Sequence, residues 1–170
     1  MGPKREAGSG SGDGAGDGPA EMNALQLHDL LAEKGKSLFL NDFKNFMLGQ
    51  VMPKTQDESL VTIAPKILKD ETHIVWRNTA ITLHNRVRGL YMGPQAWTKL
   101  QDKTYKILKT KVASHSGKAG EVLEVHEDFF VVGTGRGSLE VWELQPESKK
   151  KMPTSEFLRG FALKKGDTFA

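Results

Sequence analysis

The chain has 170 residues, no cysteine, 38% hydrophobic residues and a formal net charge of +3. That length holds one ordinary domain with appendages and a small core, and the lack of thiols excludes a disulfide framework, a thiolate metal site and a cysteine nucleophile. No apolar run approaches the ~20 residues that cross a bilayer, and Met1-Gly2-Pro3-Lys4 leads into glycine instead of a signal-peptide core, so the expectation is an untargeted cytoplasmic protein with no membrane partner.

The charge is unevenly placed. Residues 1–22 carry two basic and four acidic side chains, residues 23–72 carry six and seven, and residues 73–170 carry sixteen and ten, giving −2, −1 and +6. The positive excess belongs to the last hundred residues, where it suits either a solvated surface or contact with a polyanion. His28, His73, His84, His115 and His126 include no pair at the i, i+4 spacing of a helical zinc motif, so no metal site is expected. Asp128, Glu143 and the histidines show no spacing that calls for general acid and base work, and no catalytic residue is assigned.

In chain order, residues 1–22 hold the tract Gly8 to Ala20, rich in glycine, serine and aspartate, which reads as a disordered arm or tag. Residues 23–49 read as a helix pair. Leu27, Leu30 and Leu31 make one apolar stripe, Gly35 interrupts, and Leu38, Phe39, Phe43, Phe46 and Met47 make a second before Gly49. Residues 50–72 are an extended linker punctuated by Pro53 and Pro65, with room for one strand.

From residue 73 to residue 170 the pattern is that of a compact domain. Ile74-Val75-Trp76 reads as a short strand, and Asn78 as the N-cap of a helix from Thr79 to about Tyr91 whose Ala80, Leu83, Val87 and Leu90 share a face. Alternating runs at Thr104 to Val112, Glu121 to Val125, Phe129 to Val132 and Ser138 to Leu144, separated by turn-rich pieces, predict short antiparallel strands. The fold class is therefore α+β, mainly β: a small antiparallel barrel or sandwich with flanking helices, preceded by the helix pair and the linker. Lys149 to Phe161 adds a basic loop and a short helix capped by Thr154.

Gly133-Thr-Gly135-Arg-Gly137 has closely spaced glycines like a phosphate loop, but Leu139-Glu-Val-Trp-Glu-Leu144 continues it as a strand, so it reads as a hairpin turn with Arg136 at the tip. Strand parity puts Lys109 and Lys111 on one face with Tyr105 and Ile107, and Lys106 on the other with Leu108. Three lysines, Lys149, Lys150 and Lys151, follow Pro146 on a loop. Trp76, Trp97 and Trp142 read as core or rim packing, the last sharing a face with Glu140 and Leu144.

Four stretches in this order, Thr62 to Ile67, His84-Asn85-Arg86-Val87-Arg88, Glu143 to Met152 and Glu156 to Gly160, resemble the interdomain linker and C-terminal domain of methionyl-tRNA formyltransferase. Ile63 replaces a usual tyrosine, Ser148 a usual glycine and Pro153 a usual capping serine. The resemblance implies that the compact domain is a small open antiparallel β-barrel of the OB-like kind, and that the chain is a non-catalytic piece of that enzyme, lacking its catalytic formyltransferase domain, which binds and positions initiator methionyl-tRNA through phosphate contacts. It implies Arg88, Lys106, Lys109, Lys111, Arg136, Lys149, Lys150 and Lys151 as the RNA-facing set. No cofactor is expected in this chain, while the parent family uses 10-formyltetrahydrofolate. Two further readings stay open: a structural C-terminal module of a formyl-tetrahydrofolate hydrolase or dehydrogenase or of a sugar formyltransferase, and a free-standing RNA-binding or interaction module.

Overall fold

A computed structural model describes residues 21–170, so nearly all of the expected glycine-rich arm lies outside the described residues. The first element, α1, is one continuous helix, Ala24–Met47, where the sequence predicts a pair broken at Gly35. Asn23 and Gln26 close a reciprocal capping box at its start. Gly35 lowers helix propensity by only about 1 kcal/mol relative to alanine, too little to break a helix with good formers on both sides. No residue of α1 is buried. Behind it, residues 50–68 are extended with one 3₁₀ turn at Glu58–Leu60, and the linker contributes no strand.

A second 3₁₀ turn, Lys69–Thr72, leads into the barrel. Ile74 and Trp76 are buried and Val75 between them is exposed, as strand alternation requires, yet His73 alone makes a ladder contact, a parallel bridge to Trp97. The stretch is therefore a bridged loop where the sequence predicts a strand. Helix α2, Ala80–Gly89, is capped by Thr79, whose Oγ1 accepts from the Thr82 N–H; Asn78 sits one residue too early and its carbonyl accepts from Gly135 N instead.

Six strands form one antiparallel sheet: β1 (Trp97–Leu100), β2 (Lys103–Ala113), β3 (Val122–Val125), β4 (Phe130–Gly133), β5 (Ser138–Pro146) and the two-residue β6 (Met152–Pro153). The order is β1-β2-β5-β4-β3, with β6 beside β5. This curled sheet is the mainly-β architecture that the alternation predicts and the OB-like barrel that the resemblance implies, with β1 as a strand the sequence reading missed. The turn after β4 is the expected hairpin, in which Thr134 N donates to Gly137 O and Gly137 takes φ 79°. Gly135 N donates to the carbonyls of both Trp76 and Asn78 at 2.9 Å, an approach so close that a methyl at Gly135 would run into the Arg77 carbonyl.

The chain's last residues cover both sheet edges. Val122 N donates to Asp167 O, and Phe169 N to Gly120 O, along β3; Lys99 and Ala170 exchange two backbone hydrogen bonds of 3.0 and 2.8 Å along β1. Open edges are thereby satisfied. Inside lie Ile74, Leu83, Val87, Ile107, Val122, Phe130, Leu139, Val141, Leu144 and Phe169, with α2 and α3 (Thr154–Gly160) packed on the same core. Thr154 is buried and donates its hydroxyl to Val141 O, so it ties α3 to β5 and does not cap the helix; Pro153 holds the cap position without a side-chain bond.

Candidate nucleic-acid interface

The long strand pair β2–β5 decides where the basic side chains point. Ile107 lies opposite Leu144, Lys109 opposite Glu143, and Thr110 opposite Val141, so Leu108 on β2 and Trp142 on β5 each lack a cross-strand partner. An extra residue in a strand reverses the parity of everything beyond it. Tyr105, Ile107 and Thr110 consequently point inward, and Lys106, Lys109 and Lys111 are all exposed. Strict alternation puts Lys106 on the opposite face from the other two, and the bulge overturns that. At about 3.3 Å per residue the three ammonium groups are spread along ~17 Å of strand.

The same irregularity turns Trp142 outward, away from buried Leu144. Its ring stacks on Phe129 at 4.6 Å between centroids, Phe129 stacks on His126 at 4.5 Å, and the Lys111 ammonium lies 4.4 Å above the indole. Trp142 Nε1 donates to Glu140 Oε2 at 2.8 Å. Glu140 faces Lys111 across the ladder and Glu143 faces Lys109, so the lysine row is partly balanced by two carboxylates that sequence reading did not connect to it. Cross-strand pairing is non-local, and no spacing within either strand reveals it.

Lys151 joins this group from the loop after β5. Its Nζ donates to the Tyr91 hydroxyl at 3.4 Å and lies 3.9 Å from Glu143 Oε1. The hydrogen bond to Tyr91, with help from the charge of Tyr91 and Glu143, raises the Lys151 ammonium above its usual value and keeps it cationic. Lys149 and Lys150 are exposed on the same loop, held by Lys149 N donating to Pro146 O and by Gln145 Nε2 donating to Lys149 O. Ser148 takes φ 60°, the left-handed turn that glycine adopts without strain and serine tolerates at a cost.

Arg88 borders the cleft that Lys109 and Lys111 line, and Arg136 stands apart from the row. Arg88, half-buried on α2, donates through Nη1 to Met22 O at 2.8 Å and through Nη2 to Asn85 Oδ1 at 2.7 Å. Arg136 is exposed at the hairpin before β5, at the other end of that strand from Lys149 to Lys151, and its carbonyl accepts from Ala80 N. The structure thus brings Lys106, Lys109, Lys111 and Lys151 onto one side of β2–β5 and leaves Arg136 outside the group.

Between the start of α1 and the barrel runs a cleft of about 700 Å³ lined by His84, Arg88, Tyr91, Lys109, Lys111 and Glu143. A second groove of about 660 Å³, along β1 and β2, is lined by Trp97, Lys69, Lys99 and Lys106. Trp97 is half-buried there, stacked on His73 at 4.5 Å. Both are open surface grooves with cationic rims, shapes suited to a nucleic-acid backbone. Among the described residues, no cluster of three or more metal-ligating side chains occurs, and no helix is long and apolar enough to cross a membrane.

Comparison with known proteins agrees with the fold. The family model described as "Formyl transferase, C-terminal domain" matches residues 66–162. The chain is 42% identical over 152 residues to methionyl-tRNA formyltransferase of Bdellovibrio bacteriovorus, covering 86% of this chain and 48% of that protein. It is 37% identical over 149 residues to the enzyme of the same name from Geobacter sulfurreducens, covering 88% and 47%. The chain therefore spans about half the length of the curated relatives it matches. Among solved structures, a variant of HypX from Aquifex aeolicus superposes with a TM-score of 0.65 at 21% identity, covering 88% of this chain and 30% of that one. HypX in complex with tetrahydrofolic acid gives 0.60 at 21% identity, covering 77% and 25%. At that identity the likeness is one of fold.

Proposed function

Because the chain belongs to the formyl transferase C-terminal domain family, we propose that it binds initiator methionyl-tRNA by its phosphates and steadies it for N-formylation of the methionine. The observation that carries this reading is the bulged β2–β5 pair, which turns Lys106, Lys109 and Lys111 to one face of a rigid sheet, with Lys151 beside them. Ammonium groups on a fixed strand meet phosphates without reading bases, so such a surface supplies affinity and register while sequence identity is read elsewhere. Glu140 and Glu143, opposite Lys111 and Lys109 in the register, offset part of the positive charge and keep the surface from becoming a stronger, less discriminating polyanion trap.

In this proposal the described residues carry no chemistry of their own, and transfer is the work of a catalytic formyltransferase domain docked on the exposed apolar face of α1. The formyl donor of the parent family, 10-formyltetrahydrofolate, does not fit the residues present. A pterin needs an enclosed slot with paired donors and acceptors, whereas the grooves lined by the lysines are open to solvent.

The test is an equilibrium binding measurement of the purified chain with initiator methionyl-tRNA and with an elongator tRNA. Weak binding to both is expected, with dissociation constants of about 10⁻⁴ to 10⁻⁶ M at moderate salt and little preference between them. No binding at low salt contradicts the reading.

A further inference from the structure

We infer that the cleft between α1 and the barrel is a phosphate-binding subsite whose intramolecular occupant is the Glu21 carboxylate, so that an RNA phosphate and Glu21 compete for the same donors. The inference rests on the RNA-binding reading for the identity of the outside ligand; the site itself rests on geometry. His84 is only 4% exposed, and its imidazole edge is aimed into the cleft. Its Nδ1 lies 2.9 Å from the Thr110 hydroxyl, which fixes the ring, and its Nε2 is 3.0 Å from Glu21 Oε2. A carboxylate accepts only, so Nε2 is the donor. Glu21 reaches this buried donor from solvent, with its side chain 58% exposed.

The neighbouring groups make the cleft an anion site. Arg88 supplies a guanidinium whose Nη1 is spent on the Met22 carbonyl and whose buried Nε has no partner. Lys109 and Lys111 line the same cleft, and the acids facing it are Glu21 and Glu143, the latter already opposite Lys109. Residues Glu21 and Met22 together therefore cover one donor of His84 and one of Arg88 with a carboxylate and a carbonyl oxygen, acceptors of the kind a phosphate offers. Displacing that strap exposes both donors beside two lysines. Bidentate capture by arginine beside a second fixed donor is the arrangement that phosphate recognition favours.

Glu21→Gln keeps the shape of the occupant and removes its charge, and Glu21 is exposed enough for the barrel to fold without it. With inorganic phosphate as probe, NMR of the His84 imidazole should show a saturable shift in Glu21→Gln at lower phosphate than in the wild type. An imidazole that phosphate never moves in Glu21→Gln overturns the site, whatever RNA does. With tRNA as probe, Glu21→Gln should bind about twofold to fivefold tighter and gain about one unit of salt slope, as one more phosphate is neutralised. Glu33→Gln, which removes an exposed acid of α1 that does not line the cleft, is the control and should change neither. Equal behaviour of the two variants means that Glu21 is only a tether. Loss of all tRNA binding would count against the proposed function, with the phosphate titration still deciding the subsite.

Discussion

Helix α1 with the linker behind it, and the barrel that begins at Ile74, differ in where their apolar side chains go. Among the described residues, eighteen large hydrophobics before residue 69 are exposed, including Leu31, Leu38, Phe39, Phe43 and Phe46; in the barrel only Val75, Ile81, Met92, Val112 and Val125 are. Both regions have the periodicity of a buried element. In the barrel each apolar face finds its complement within the same chain, as Phe130 does against Phe169, whose rings stack 9° from parallel. In α1 the face is formed by local spacing alone, and nothing within residues 21–170 closes over it. Amphipathic patterning thus specifies an element and its face, and says nothing of what the face meets.

Side-chain truncation gives the sharpest contrast. Phe130→Ala removes a fully buried ring and should cost about 3 to 5 kcal/mol in urea denaturation, whereas Phe43→Ala should fall within about 0.5 kcal/mol. An equal cost at Phe43 would mean that α1 has found a core or a second copy. Glycine substitution gives the next contrast, and the two sites should differ in sign. Gly135→Ala drives a methyl into the Arg77 carbonyl and should lower stability by about 2 kcal/mol or more, while Gly35→Ala meets open space in α1 and should raise its helicity by up to about 1 kcal/mol. Circular dichroism of the two variants would show a loss of stability in one and a gain of helix in the other.

How far these features were legible in the sequence depended on how local their causes are. Strands β2, β3, β4 and β5 and the Gly133–Gly137 hairpin follow from alternation and turn residues, because both are set within a few positions. The continuity of α1 through Gly35 was misread because a single glycine weakens a helix without ending it. The cap at Thr79 in place of Asn78 was misread because either residue caps well and the packing of Gly135 on the Asn78 carbonyl decides between them. The common exposure of Lys106, Lys109 and Lys111, and the outward turn of Trp142, could not be read at all. They depend on Leu108 and Trp142 being passed over in the pairing of two strands some thirty residues apart. Lys109, Lys111 and Lys151 are legible in the sequence; the contacts of Lys151 with Tyr91 and Glu143, and of Lys111 with the Trp142 ring, are not.

Alkaline titration offers a smaller effect confined to the barrel. Burial pushes the Tyr105 phenol above its ordinary value of about 10, because the core disfavours the phenolate. The folded state then holds its proton more tightly than the unfolded state. That contribution is complete below the ordinary tyrosine value and is lost as pH rises from there through the raised value of the folded state. Stability should therefore fall as pH rises above the ordinary tyrosine value of about 10, and Tyr105→Phe should show a shallower fall over the same range. Identical slopes would mean that lysine titration alone accounts for the loss.

The most direct test of the lysine face is the salt dependence of tRNA binding for the wild type and for the double variant Lys109→Ala/Lys111→Ala. If both ammonium groups lie against phosphates, log K should fall linearly with log salt, and the double variant should lose up to about two units of slope with no change in the preference between tRNAs. A variant that binds with the wild-type slope would remove this face of β2 from the RNA interface and contradict the account.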